Sequence, residues 1–152
     1  MNKKHRRRSL PPFVPLFKTT LDTPAWKATS HGARSLYVAL KRFWNAKTEN
    51  NGRIYLSIRD AAAEINSSQE ECVRWFRELQ HYGFIVKTTE GRRGNDGFAP
   101  HWRLTEIGCN GAPPTVDFTR WDGITFRPLR RLSRDSKDRL SLGKAKHPVA
   151  EG

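Results

Sequence analysis

The sequence predicts an α+β, mainly helical domain with a small antiparallel β-sheet, set between basic arms expected to be disordered. Three observations predict it. Apolar residues recur at helical spacing within 33–44, 58–65 and 72–79. Short runs at 53–57, 84–89 and 102–105 alternate, or are rich in β-branched and aromatic residues, as strands are. The charge is uneven: the chain of 152 residues carries a net +13, but residues 22–106 hold thirteen basic and ten acidic side chains. Most of the surplus therefore sits on the two ends, and charged ends around a near-balanced core read as solvated arms. This length holds one modest core. The expected organisation is a basic, Pro-rich arm at 1–21, a domain at 22–106, and a basic, largely disordered tail at 107–152.

The elements follow in order. Phe13 to Phe17 is apolar but broken by Pro15, and is expected to lie on the domain as an extended strap. Thr23 before Pro24 is a helix start, with the hydroxyl as N-cap and proline at the first position. That helix is short, because Thr29-Ser30 offers a second cap. Beyond it Ala33, Leu36, Tyr37, Leu40, Phe43 and Trp44 form one helical face, with Arg34, Lys41 and Arg42 on others. Asn50-Asn51-Gly52 is a turn, and Arg53 to Ser57 a short strand. Ser57 caps a helix of about two turns over Ile58, Ala61, Ala62 and Ile65. Ser67 and Ser68 each precede a Glu by three residues, which writes the capping-box spacing twice. The helix that follows runs to Tyr82, buries some of Cys72, Trp75, Phe76 and Leu79, and is stopped by Gly83. Two strands remain, around a loop that carries Arg92 and Arg93 between Gly91, Gly94 and Gly97.

Helix, strand, short helix, tight turn, helix, strand, glycine-rich basic loop and strand is the order of a winged helix-turn-helix. In that arrangement the second helix of the pair stands proud of the core and fits the major groove, with the hairpin loop beside it. Residues 22–106 resemble winged-helix proteins of bacterial phages, plasmids and integrative elements, of the replication-initiator-like and regulator type, found also in alphaproteobacterial genomes. The matching pieces are Pro24-Ala25-Trp26, Asn50-Asn51-Gly52-Arg53-Ile54, Ser57 with Arg59 and Ala62, Glu78-Leu79, Gly83-Phe84-Ile85 and Trp102-Arg103-Leu104-Thr105. The chain departs from them in opening the second helix with Gln69-Glu70-Glu71, and in placing Trp75 where a small residue is common. The resemblance implies a transcription regulator that binds double-stranded DNA selectively. A replication or recombination accessory at an origin or attachment site would use the same contacts, and a winged-helix protein-interaction module is the reading from another class.

The expected DNA-binding residues are Ser68, Gln69, Glu71, Val73, Arg74 and Arg77 on the second helix, Arg59 on the first, and Arg92 and Arg93 in the loop. Arginine can read guanine and glutamine adenine, while a loop pair of arginines can grip phosphate. Each has a plainer reading: Glu70 with Arg74 as an i,i+4 pair, Glu71 as a capping residue, Arg59 as a solvated side chain. His81 and His101 have no partner spacing for metal or catalysis. Cys72 and Cys109 form no CxxC, no phosphate-binding loop or nucleophile elbow is present, and no cofactor is expected. The prolines at 11, 12 and 15 break any signal-peptide helix, and no run is long enough to span a bilayer. A cytoplasmic, nucleoid-associated protein is expected. A homodimer is allowed, although no long heptad pattern is visible. Phe118-Thr119-Arg120-Trp121 and Phe126 to Arg131 interleave aromatics with arginine, which suits a segment lying on nucleic acid or docking on a protein partner as much as a solubilising tail. A fragment of residues 22–106 is expected to fold alone.

Overall fold

A computed structural model describes residues 10–91 and 99–129, and the statements below concern those. Helices α1 (Lys18–Leu21), α2 (Pro24–Ala28) and α3 (His31–Phe43) are followed by strand β1 (Ile54–Tyr55), helices α4 (Ile58–Glu64) and α5 (Gln69–His81), and strands β2 (Ile85–Thr89) and β3 (His101–Leu104). A 3₁₀ turn at Asp117–Arg120 closes the order. The fold is α+β and mainly helical, with one three-stranded antiparallel sheet ordered β1-β3-β2.

The helix starts are where the capping residues put them. Thr23 Oγ1 accepts from the Trp26 amide at 3.2 Å, and Ser57 Oγ from Asp60 at 3.0 Å. Of the two candidate boxes before α5, the chain uses Ser68 with Glu71. Ser67 instead turns its hydroxyl to the Cys72 sulfur, 3.3 Å away. The α3 face buries Ala33, Leu36, Tyr37 and Leu40, but the helix ends at Phe43, which is 42% exposed. Trp102 on the central strand stacks on Phe76 of α5 at 4.5 Å and is opposite Ile54 and Lys87 in register. Trp26, Tyr37 and Phe84 meet edge-on or tilted in a second aromatic cluster.

Lys41 is not on a polar face as its helical position suggests. It is fully buried and paired with the buried carboxylate of Glu106, which also accepts from Thr20 Oγ1 at 2.7 Å. The Phe17 ring lies 4.7 Å from the Lys41 ammonium. Burial, and then the negative charge of Glu106, push the Tyr37 hydroxyl well above the usual phenol range. Charged groups of this kind are buried only when paired. The strap therefore ends in a helical turn, α1, whose buried Thr20 completes the pair. Asn51, expected as a turn residue, is also buried. Its Nδ2 donates to the carbonyls of Leu104 at 2.9 Å and Ile107 at 2.8 Å, and its Oδ1 accepts from the Leu104 amide at 2.7 Å.

The packed unit does not stop near residue 106, where the expected domain ends. The Val116 amide donates to the Thr105 carbonyl at 2.9 Å, and the buried Phe118 ring stacks on Phe84 at 4.9 Å. Gly83 makes this approach possible. Its φ is +83°, and a Cβ there would stand 2.8 Å from the Asp117 carbonyl carbon and the Phe118 nitrogen. Glycine at this position thus both ends α5 and seats the returning chain.

Two consequences can be measured by urea denaturation. The fragment 22–106 lacks Thr20 and Phe118 and should be markedly less stable than residues 10–129. Gly83→Ala should cost at least about 1–2 kcal/mol, the strain of a left-handed backbone alone, with the collision against residues 117–118 added. A loss no larger than that backbone strain would mean that the 3₁₀ turn does not hold its place on Gly83.

Candidate nucleic-acid interface

The site rests on how α5 is held. Cys72, Phe76 and Leu79 face the core. On the same buried side Glu78, which is 5% exposed, accepts from the Ser30 amide at 2.6 Å and the Ser30 hydroxyl at 2.7 Å. Ser30 is the N-cap of α3, so the carboxylate sits on the positive end of that helix. Two residues further, Gly32 leaves room for Trp75: a Cβ on Gly32 would lie 2.0 Å from the indole. The small residue that matches Trp75 is thus on the facing helix rather than on α5.

This clamp turns one stripe of α5 outward. Gln69, Glu70, Val73, Arg74, Arg77 and His81 are exposed, at the spacing of a single helical face. Of the expected site residues, the structure brings Gln69, Val73, Arg74 and Arg77 together on this stripe. Ser68 and Glu71 stand at its beginning, with their polar atoms engaged in the cap. The Glu71 carboxylate accepts the Ser68 amide at 3.2 Å and its hydroxyl at 3.0 Å. Those two bonds, the backbone one first, hold its pKa below the ordinary carboxylate range. Arg74 lies 5.9 Å from the centroid of the Trp75 ring. Arg59, in the first turn of α4, has a side chain 83% exposed and 3.6 Å from Asp60. Arg92 and Arg93 lie outside the described residues.

A short turn joins α4 to α5. Asn66 takes a left-handed conformation at φ +52°, and Ser67 N donates to the Ala62 carbonyl at 2.9 Å. Asparagine tolerates that backbone better than other side chains. The β2–β3 hairpin follows α5 directly, with a register irregularity between Lys87 and Thr89.

Residues not expected at this face complete it. Phe126, Arg127, Pro128 and Leu129 line an open groove with Glu70, Glu71, Val73, Arg74 and Arg77, with a volume of about 720 Å³. The alternation of aromatics with arginine suits a solubilising tail as much as a docking segment, and no periodicity tells which surface it meets. Two histidines meet neighbours: His81 Nε2 is 2.6 Å from the Ile124 carbonyl, and the His101 ring meets Tyr55 edge-on. Among the described residues no three His, Cys, Asp or Glu side chains group as metal ligands. No helix among them is long and apolar enough to cross a membrane. No protein-family model, curated protein or solved structure matches the chain.

The fit of Trp75 against Gly32 can be tested by a double-mutant cycle. Gly32→Ala should destabilise the protein in the wild-type background and much less in Trp75→Ala. The coupling should fall in the ~0.5–3 kcal/mol range of residues in contact. Additive losses would show that the two helices are not matched at this point.

Proposed function

We propose that residues 22–106 form a winged helix-turn-helix, with α4 and α5 as the helix pair and the β2–β3 hairpin as the wing. The protein then binds double-stranded DNA selectively, as a transcription regulator of a bacterial or mobile genetic element. One observation carries this reading: Glu78, Phe76 and Leu79 hold α5 from behind, and its opposite stripe offers Gln69, Val73, Arg74 and Arg77 together. A helix supported in this way can enter a groove without losing its own packing. Arginine and glutamine supply bidentate contacts to guanine and adenine, and the Val73 methyls suit a thymine methyl. The basic residues at 1–21 supply phosphate contacts that carry affinity rather than sequence. A replication or recombination accessory shares all of these contacts.

A second reading has its own observation. The groove beside α5 joins Glu70 and Glu71 to the apolar side chains of Val73, Phe126, Pro128 and Leu129, a mixture that suits a protein partner as well. Substitution separates the two. With a duplex selected from a random pool by the wild-type protein, Arg74→Ala with Arg77→Ala should lose preference for that duplex, by roughly 1–3 kcal/mol per bidentate contact. Its binding to unrelated duplex should fall less. Arg92→Ala with Arg93→Ala should weaken both equally, because phosphate carries no sequence. If neither variant alters DNA binding while the α5 variant loses a protein partner, the interaction module is the correct reading.

A further inference from the structure

The chain after the 3₁₀ turn is tied to the C-terminal end of α5 by a chain of rings. Trp121 meets Tyr82 edge-on at 5.2 Å and donates from Nε1 to the Ile124 carbonyl at 2.9 Å. The Phe126 amide donates to the Tyr82 hydroxyl at 3.1 Å, and its ring lies 5.6 Å from His81. From there Arg127, Pro128 and Leu129 form the far wall of the groove whose near wall is Glu70, Val73, Arg74 and Arg77. The lengths agree with a segment laid along the helix. The six residues Ile124 to Leu129 make five steps, which reach about 17 Å at ~3.3 Å each if extended. The helix from His81 back to Glu70 covers about 17 Å at ~1.5 Å per residue.

We infer that the segment Ile124–Leu129 is a built-in competitor for DNA, which must leave the flank of α5 before that helix can enter a duplex. The inference rests on the DNA-binding reading above, and size decides it. An α-helix with its side chains is about 10–12 Å across, and the major groove is about 12 Å wide. A backbone segment beside the helix adds at least the ~4.7 Å spacing of two paired strands. Helix and segment together do not fit. Among the described residues the segment is held at two residues only: its ties run through the Ile124 carbonyl and the amide and ring of Phe126, while the side chains of Ile124, 63% exposed, and Leu129, 85% exposed, face solvent. Displacing it leaves the packing of Phe118 on Phe84 in place.

Phe126→Ala tests this, because it removes the ring from His81 and leaves every charge in place. If the seated form makes up nine-tenths of the free protein, the variant should bind the selected duplex about tenfold tighter, since apparent affinity scales with the competent fraction. In the wild-type protein, hydrogen exchange at the Phe126 amide should quicken when duplex is added. A variant that binds no tighter, or a Phe126 amide still protected in the complex, overturns the inference. So does weaker binding by Arg127→Ala joined to unchanged protection, which would make the segment part of the DNA-contacting surface. Failure of both wild-type and Phe126→Ala protein to bind any duplex would instead bring down the DNA-binding reading itself, and this inference with it.

Discussion

The contact between Glu78 and Ser30 is the constraint on which the rest of the molecule depends. A buried carboxylate needs hydrogen bonds and positive potential to remain buried, and the first turn of α3 supplies both. Three residues earlier on α5, Trp75 lies over Gly32. Two side chains on one face of α5 thus engage two neighbouring positions on α3, which fixes the rotation of α5 about its own axis. Every outward-facing residue inherits its direction from that lock. A rotation by one residue would carry Val73 or Arg74 toward the core and bring Phe76 toward water.

A second buried charge performs a similar service at the other end of the fold. Lys41, Glu106 and Thr20 join α3, the chain just after β3 and the turn before α2. Such a pair adds little net stability once desolvation is counted, yet breaking it leaves a charge unpaired in the core. Its effect is to specify where the N-terminal segment docks. Asn51 does the same for the end of β3 with neutral hydrogen bonds.

The parts of the fold legible in the sequence are those set by local chemistry. Thr23, Ser30, Ser57 and Ser68 mark helix starts because a hydroxyl caps an amide two or three residues on, and that spacing is written in the chain. The faces of α3 and α5 follow from apolar periodicity for the same reason. Lys41 could not be placed, because its partner Glu106 lies 65 residues away and periodicity assigns a lysine to solvent. The packing of Phe118 and Phe126 was equally hidden. Both lie in aperiodic chain rich in proline and arginine, and their docking depends on Gly83 and Tyr82, which read locally as a helix end. At the candidate site, the stripe of Gln69, Val73, Arg74 and Arg77 was visible as a helical face, while the opposing wall at 126–129 was not.

The central claim is that the outward stripe of α5 is the surface that meets DNA. Amide chemical shifts of the full chain, followed as a selected duplex is added at moderate salt, test it most directly. The account predicts large changes at Gln69, Val73, Arg74 and Arg77, joined by Phe126 as its segment leaves the helix, with little change at Ser30 and Gly32 behind it. Changes confined to the chain ends, with the α5 stripe silent at saturation, would contradict it.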